Sequence, residues 1–467
     1  MGDEEAGAEF IEQEGGDGPC STLAGSCGMM VAGFILFPLA LYLLGWNEQT
    51  YVCESSRIMY GEANTQAVGC SSQGVVNKFV YFSCPLVPAS LQTFTMLSFD
   101  DKQSFDPGTA PPINFTSASG KQVVEMYLCR ERCETKKRKN GAGQNVKYKT
   151  CRYSMDWSTS NIDITAKFSR PLADVAQGCP NIDTAGGNPA APTNVQMGLT
   201  TEYATGVLAG DPKGAFALNQ DLVAGLTPNA PVPLAPFQGR FAAGAKAATA
   251  NQQPWLRPMV ISKDTVTVQG NYLVTCAQPM LGCVRISFGR SDSTRPSVMT
   301  RVSSGGQTEK EPIPGSWGCK ASTWQAILPE QVDKAGMVKK LHDSNKTKVW
   351  IIRLVGLFLS WMAIWCCFRP ISAAAEVAGQ CFNFLPCGGY IDDFLTGLVD
   401  GIVCLLSCGI GCSTGLFVIA IVWLYMRPLI GGSLLAASVL LCLCVVGIRS
   451  QATRQRPPKS ANAMGAE

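Results

Sequence analysis

The chain has 467 residues, of which 46% are hydrophobic and only 16% are charged, and its net charge is +3. Soluble domains average about 25% charged residues, so this composition favours a membrane protein. The small net charge provides no basic surface for nucleic acid, and the single histidine, His342, excludes metal sites built from several histidines. We therefore expect no nucleic-acid partner and no cofactor.

Four apolar runs predict four membrane-spanning helices. The first, residues 27–46, has no charge over twenty residues, a length that crosses a hydrocarbon core roughly 30 Å thick. The segment before it, residues 1–26, holds seven acids and no Lys or Arg, which favours a retained anchor over a cleaved signal peptide and predicts an acidic cytosolic tail. The other three predicted spans are residues 349–368, 401–426 and 429–448, with a cytosolic connector at 369–400 and a basic cytosolic tail at 449–467.

Four spans place both termini on one side of the membrane and residues 47–348 on the other. This segment holds ten of the 21 cysteines. An even number suits disulfides in an oxidising lumen, whereas a zinc site, the alternative, favours C-x-x-C pairs, and none occurs among the ten. The triplet beginning at Asn114 is a glycosylation candidate. The disulfide candidates, whose pairing stays open, are Cys53, Cys70, Cys84, Cys129, Cys133, Cys151, Cys179, Cys276, Cys283 and Cys319.

The same segment predicts a lumenal domain that is mainly β, of the α+β class. Two strand-like runs, residues 122–133 and 146–157, flank the turn at 140–143 and predict a β-hairpin. Strand patterns return at residues 259–276 and 283–290, whereas the stretch before them is rich in Ala, Gly, Pro and Asn and predicts loops with weak helices. The expected fold is a multi-pass α-helical membrane protein with this domain between spans one and two.

The third predicted span contains a pattern of small residues. Cys404, Cys408 and Cys412 recur every fourth residue, and Gly411 and Gly415 form a G-x-x-x-G on an overlapping stretch. Small residues along one side of a helix let a neighbouring helix approach closely. We therefore predict a helix-packing surface here, with a thiol metal site as the alternative.

Three charged residues, Arg353, Asp400 and Arg427, lie near the ends of predicted spans. Because each falls within a turn or two of a span end, we predict that they anchor the helices at the membrane interface, with an ion or substrate path as the alternative. The chain contains no phosphate-binding loop, dinucleotide fingerprint or H-E-x-x-H motif. No enzymatic activity is expected.

Several short segments occur in an order typical of one known family. The first span runs into Asn47-Glu48, and the later segments read VEMY at 124–127, YSMDW at 153–157, GNYLVTCAQPMLGCVRIS at 270–287, RLVG at 353–356 and WLYMRPL at 423–429. In this order they resemble the four-pass transmembrane protein 43 (LUMA) family. The resemblance implies a domain facing the lumen of the endoplasmic reticulum or nuclear envelope, termini in the cytosol or nucleoplasm, and association with emerin, lamins and further copies of the chain.

The leading hypothesis is a non-enzymatic membrane scaffold that organises protein complexes at the nuclear envelope and endoplasmic reticulum. Its expected partners are membrane lipids, other membrane proteins of these membranes, and further copies of the chain in a homo-oligomer. The alternative is a channel or transporter subunit built on spans two to four. A third hypothesis, a lumenal binding or redox module, is suggested by Cys129 and Cys133 in one strand-like run.

Overall fold

The computed structural model of the chain describes residues 9–14, 19–96, 113–139, 145–160, 167–192, 195–241, 261, 266–380, 388–429 and 432–433. The chain divides into two compact units. The first, which we name the β-rich unit, comprises Met1–Asp17, Tyr60–Ile313 and Thr323–Lys339. The second, the helical unit, comprises Gly18–Met59, Pro314–Ser322 and Lys340–Glu467.

Three of the helices are long, and three are short. They are α1 (Pro19–Asn64), α2 (Leu172–Val175), α3 (Ile182–Ala185), α4 (Gln220–Ala224), α5 (Lys334–Gln380) and α6 (Gly388–Met426). Short 3₁₀ turns lie at Pro88–Ser90, Ala235–Arg240 and Ser304–Gly306. Within the described residues, three helical stretches are long and apolar enough to cross a membrane: Gly25–Asn64, Lys334–Ala375 and Gly397–Met426.

The three long helices extend beyond the predicted spans. Helix α1 continues eighteen residues past the end of the first span, and α5 continues twelve residues into the predicted connector, to Gln380. On α1 the reason is a second buried face, because Glu48, Val52, Ser55 and Ile58 recur every three or four residues and are all buried. A hydropathy-based prediction ends the span at the first charged residues, whereas packing against other elements allows the helix to continue. The fourth predicted span, 429–448, and the tail, 449–467, lie outside the described residues apart from 429, 432 and 433.

The β-rich unit is built from short strands around one long hairpin. The strands are β1 (Glu9–Glu14), β2 (Gln66–Ala67), β3 (Lys78–Ser83), β4 (Gln92–Met96), β5 (Ile113–Ser117), β6 (Ser119–Lys139), β7 (Asn145–Ser158), β8 (Gly198–Tyr203), β9 (Leu208–Ala209), β10 (Phe216–Ala217), β11 (Ala230–Pro231), β12 (Thr267–Gln269), β13 (Tyr272–Val274), β14 (Val284–Arg290), β15 (Ser297–Val302), β16 (Thr308–Glu309), β17 (Glu311–Ile313), β18 (Ser322–Trp324) and β19 (Ala326–Leu328).

Two sheets form the body of this unit. An eight-stranded sheet has the order β1-β7-β6-β14-β13-β12, with β8 beside β6 and β11 beside β14. A five-stranded sheet has the order β16-β15-β3-β2, with β19 beside β15. The remaining strands form three two-stranded sheets, β4-β5, β9-β10 and β17-β18. The predicted β-rich domain is therefore confirmed, and the predicted hairpin is the antiparallel pair β6-β7.

The core lies where the apolar faces of the two sheets meet. In β6, Val124, Met126 and Leu128 are buried, which is the period of two that a half-buried strand requires. They belong to one apolar cluster with residues of the five-stranded sheet and its neighbours, including Phe82, whose ring stacks on that of Phe216 at 4.0 Å. The eight-stranded and five-stranded sheets thus share a single hydrophobic core.

The N-terminal segment, which we predicted to be an acidic cytosolic tail, contains strand β1. Residues Glu9–Glu14 pair antiparallel with β7, from Glu9 opposite Arg152 to Glu14 opposite Lys147. A membrane span at 27–46 would place Glu9–Glu14 on the opposite side from β7. The strand pairing and the predicted span therefore exclude each other within one chain.

Candidate functional site

The candidate site of the helical unit is a buried ion pair between Glu48 of α1 and Arg353 of α5. The guanidinium of Arg353 donates from Nε to Glu48 Oε1 and from Nη2 to Oε2, each at 2.6 Å. Trp423 of α6 donates from Nε1 to Oε2 at 2.7 Å. Glu48 is 0% exposed, so its carboxylate is bound by three donors from two other helices and by no solvent. We name Glu48, Arg353 and Trp423 the helix clamp.

The direction of the helices explains why these three residues meet. Along α1, Gly33 lies against Cys367 and Leu44 lies against Gly356, so α5 runs antiparallel to α1. Helix α6 returns antiparallel to α5, because Gly411 lies against Trp361 whereas Trp423 reaches the clamp. The three clamp residues therefore lie at one end of the bundle. Glu48 follows the first apolar run, Arg353 lies early in the second, and Trp423 lies late in the third.

Aromatic rings and amides surround the helix clamp. The Arg353 guanidinium lies 4.9 Å from the ring centre of Trp350 and 6.0 Å from that of Tyr51, which adds cation–π attraction to the ion pair. Asn47 donates to a main-chain carbonyl of α5 at 3.2 Å. Asn345 donates to the main-chain carbonyl of Tyr51 at 3.3 Å. Further polar contacts between α1 and α5 thus lie beside the ion pair.

The helix clamp gives a partner to Arg353, which we predicted to anchor its helix at the membrane interface. Its guanidinium pairs with Glu48, and its side chain is only 16% exposed. Asp400 lies 3.8 Å from Arg369 in a more exposed pair. Breaking a buried pair by removing one partner costs about 3–5 kcal/mol, because the remaining charge stays desolvated. The clamp therefore holds three helices in one arrangement.

The predicted packing surface on α6 is formed by its glycines. A Cβ at Gly411 would lie 2.8 Å from Trp361 Cα, and one at Gly415 would lie 3.2 Å from a methyl group of Leu44. The cysteines of the same pattern lie elsewhere around the helix and are less buried. Two are exposed and one is half-buried: Cys404, Cys408 and Cys412. On α6, Gly411 and Gly415 thus make close contacts with the neighbouring helices, and the three cysteines are more exposed.

The ten cysteines of the segment 47–348 lie in five pairs at disulfide distance. Cys129 and Cys133, which suggested a redox pair, each bond to another cysteine. The pairs are Cys53–Cys319, Cys70–Cys84, Cys129–Cys179, Cys133–Cys151 and Cys276–Cys283. Within the described part of the chain, one cluster has the residue types of a metal site, namely Glu131, Cys133 and Cys151. Its two sulfurs are bonded to each other, so they are not free to act as thiolate ligands.

A second carboxylate–arginine cluster lies in the β-rich unit. Arg285 of β14 donates to both oxygens of Glu125 in β6, at 2.6 and 3.0 Å. Its guanidinium stacks between Trp157, at 4.4 Å, and Tyr272, at 4.9 Å. The ring of Tyr127 lies 5.1 Å from that of Trp157. The segments at 124–127, 153–157 and 270–287, which are separate in the sequence, thus meet at this cluster.

The same segments line a groove with a volume of about 380 Å³. Its lining has no charged side chain and mixes apolar with amide and hydroxyl groups. The lining residues are Tyr127, Tyr153, Ser154, Met155, Gln177, Gly178, Pro180, Asn181, Pro279, Met280 and Leu281. Two disulfides, Cys129–Cys179 and Cys276–Cys283, join segments that border the groove. This groove is a candidate binding surface for a neutral, partly apolar group.

Tyr153 links the groove to a hydrogen-bond network around Glu131. Its hydroxyl donates to Glu131 Oε1 at 2.6 Å, and Glu131 also accepts from the main chain of Ser169 at 3.0 Å. Burial, and then the hydrogen bond to the Glu131 carboxylate, raise the pKa of Tyr153 above the ordinary tyrosine value. Tyr153 therefore stays protonated and keeps its hydrogen bond throughout the physiological pH range.

The glycosylation candidate Asn114 lies in β5, opposite Thr95 of β4, and is half-buried. The hydroxyl of Thr116, two residues later, is exposed and lies 3.1 Å from that of Thr93. Asn345, the other asparagine in such a triplet, is 9% exposed and hydrogen-bonded. Of the two asparagines, Asn114 is thus the more accessible to a modifying enzyme.

Sequence reasoning missed Glu48 and Trp423 as partners of Arg353. The signal available was a carboxylate directly after one apolar run and an arginine directly inside the next. Because the same pattern is typical of interfacial anchoring, it did not specify a pair. The alternation in β6 and β14 did predict the strands that bring Glu125 and Arg285 together.

Comparison with known proteins identifies a family for the C-terminal half of the chain. The family model described as Transmembrane protein 43 matches residues 187–428, which is just over half of the chain. The matched region includes Arg353, Trp423 and Arg285, one or more residues from each carboxylate–arginine cluster. No curated protein and no solved structure matches the chain. The chain therefore belongs to the transmembrane protein 43 family.

Proposed function

We propose that the protein is a non-enzymatic scaffold of the endoplasmic reticulum and inner nuclear membrane that organises complexes of membrane proteins. In this proposal the chain crosses the membrane four times. Residues 47–348 lie in the lumen and both termini lie in the cytosol or nucleoplasm, an arrangement in which Glu9–Glu14 does not pair with β7. Its partners are membrane lipids, other membrane proteins of the same membranes and further copies of the chain.

The observation that supports this proposal most is the helix clamp. An ion path needs charged or polar groups that face water, whereas Glu48 is 0% exposed and held by donors from α5 and α6. Gly411 and Gly415 bring the same helices into close contact further along the bundle. A closed bundle of this kind suits an anchor, and no observation on the described residues favours a channel or transporter.

The outer surface of the helices suits contact with lipid or with other spans. Large apolar side chains are exposed along the long helices, among them Phe34 at 64%, Leu405 at 75% and Phe417 at 59%. Exposed apolar area of this extent marks a membrane or protein contact. Five cysteine pairs in the segment 47–348 agree with an oxidising lumen, because cytosolic thiols are kept reduced.

Crosslinking of the tagged full chain in native membranes tests the scaffold. We expect crosslinked homo-oligomers and at least one co-purifying membrane protein. Met280→Asp, which places a charge in the groove, should lower the amount of co-purified partner without lowering the amount of chain in the membrane. Lys213→Ala, on an exposed loop between β9 and β10, is the matched control. Recovery of monomer alone, with no membrane protein bound, would contradict the proposal.

A further inference from the structure

An exposed tryptophan lies at the end of the helical unit that holds the helix clamp. Trp317, in the segment Pro314–Ser322 that connects β17 to β18, is 72% exposed. Its indole Nε1 donates to the main-chain carbonyl of Tyr425 at 2.8 Å, and the centres of the two rings lie 5.9 Å apart. Because Tyr425 is the penultimate residue of α6, this contact holds the ring at the level where the third apolar run ends.

A tight turn carries the ring. The main chains of Ser316 and Cys319 exchange two hydrogen bonds, at 3.0 and 2.9 Å, and Gly318 between them has a φ of 74°, which favours glycine. The Gly318 carbonyl accepts from the side chain of Gln49 at 3.0 Å, and the disulfide between Cys53 and Cys319 joins the turn to α1. Main-chain groups that leave water without a partner cost free energy. These hydrogen bonds therefore lower the cost of bringing the turn into contact with lipid.

Capping of α6 is a simpler role for Trp317, because the last four carbonyls of a helix lack main-chain donors. The hydrogen bond to Tyr425 fits this role. A cap needs only the N–H group, however, and the rest of the indole ring stays exposed. One exposed apolar side chain is normal on a protein in water, so the neighbours of the ring decide between the two roles.

Other exposed aromatic rings lie at the same end of the helical unit. Trp46 precedes Glu48 of the helix clamp by two residues, and Trp350 lies 4.9 Å from the Arg353 guanidinium. Both tryptophans are exposed, as is Tyr425. Tryptophan and tyrosine are enriched where a membrane meets water, because the apolar ring lies towards the acyl chains and its polar group towards the headgroups. This end of the helical unit therefore has the composition of a membrane interface.

We propose that Trp317 inserts into the lipid interface of the membrane leaflet on the side of residues 47–348. The partner is the phospholipid bilayer itself, and the ring lies at the boundary between headgroups and acyl chains. Lys320, the one charged residue of Pro314–Ser322, is exposed and suits the lipid phosphates. The proposal rests on the membrane placement proposed above and adds an anchor that lies outside the three long helices.

The test uses the tryptophan fluorescence of the full chain in phosphatidylcholine nanodiscs. Subtracting the emission of Trp317→Phe from that of the parent isolates the emission of Trp317. This emission should lose most of its intensity when the lipid carries bromine atoms next to the headgroups, and little when iodide is added to the water. Trp317→Tyr gives the same subtraction if Trp317→Phe folds poorly.

Two matched variants are the controls. Trp350→Phe isolates an exposed ring at the start of the second predicted span, which bromine should quench. Trp324→Phe isolates a buried ring, which neither bromine nor iodide should quench.

Three results would overturn the proposal. Quenching of Trp317 by iodide, with Trp350 quenched by bromine, would mean that the ring lies in water, and it would leave the proposed function standing. Quenching of Trp317 by neither agent would mean that protein and not lipid covers the ring. If bromine quenches neither Trp317 nor Trp350, the membrane placement on which both proposals rest is refuted.

Discussion

The helix clamp makes the most specific prediction about the helical unit. Arg353→Leu leaves the Glu48 carboxylate, which is 0% exposed, with Trp423 as its remaining side-chain donor. Removing one partner of a buried pair costs about 3–5 kcal/mol. The equilibrium constant for opening the bundle should therefore rise by roughly a hundredfold to several thousandfold.

Alkylation of Cys366 measures this opening. Cys366 lies on α5 as a free thiol that is only 7% exposed, so a maleimide reaches it when the bundle opens. When closing is fast, the labelling rate follows the open fraction, and mass spectrometry separates this site from the other free thiols. Arg57→Leu is the matched control on α1, because its pair with Glu54 is about one-third exposed on each side. An exposed pair of this kind contributes about 0.2–1 kcal/mol, so the rate should change at most about fivefold.

A double variant distinguishes charge from packing. Glu48→Leu with Arg353→Leu removes both charges, and an apolar pair often replaces a buried ion pair with little loss. We expect its labelling rate to lie much closer to that of the parent than the rate of Arg353→Leu does. An unchanged rate in Arg353→Leu would refute the clamp. Equal rates in the single and double variants would mean that lost packing, and not an unpaired charge, opens the bundle.

Three further predictions follow from single contacts. Gly411→Val should destabilise the helical unit by about 1–3 kcal/mol, because its side chain has no space against α5, whereas Gly409→Val, with no atom within 4 Å of its Cβ, should be close to neutral in thermal unfolding. The free energy of unfolding of the β-rich unit should fall above about pH 10, because folded Tyr153, whose pKa is raised, stays protonated while the unfolded chain loses that proton. Tyr153→Phe should make this fall with pH less steep, as measured by denaturant titrations at increasing pH. Replacing Cys53 and Cys319 with serine should lower the unfolding midpoint by the equivalent of about 2–5 kcal/mol, measured under non-reducing conditions.

Each of these predictions has a result that contradicts it. Equal losses in Gly411→Val and Gly409→Val would mean that the helices are not in close contact at Gly411. If the free energy of unfolding of Tyr153→Phe depends on pH as steeply as that of the parent, groups other than Tyr153 cause the loss of stability at high pH. In the chain-entropy account, the 266-residue separation of Cys53–Cys319 makes it about 3 kcal/mol more stabilising than Cys276–Cys283, whose separation is 7. A larger effect from the short-range pair would oppose that account.

Local patterns in the sequence predicted the elements that depend on local physics. The uncharged run 27–46 lies inside α1, because a stretch of this hydropathy favours helix wherever it is buried or in lipid. The hairpin β6-β7 follows from alternating apolar residues on both sides of a glycine-containing turn. The small-residue pattern on α6 identified Gly411 and Gly415, which lie in close contact with neighbouring helices, whereas its cysteines are more exposed.

Contacts between distant residues could not be predicted in the same way. Glu48 and Arg353 are 305 positions apart, and a periodic pattern in the sequence does not predict which acidic residue pairs with which basic residue. The disulfide pairing stayed open for the same reason, since ten cysteines allow many pairings and the fold selects one. The strand Glu9–Glu14 was missed because its charges suggested a solvated tail.

Protease protection in sealed microsomes tests the central claim most directly. The claim is that the segment 47–348 and the chain termini lie on opposite sides of an endomembrane. With the membrane intact, added protease should remove the tail 449–467 and leave the segment 47–348 whole, and detergent should make that segment accessible. Digestion of 47–348 in sealed vesicles, with the tail protected, would contradict the account.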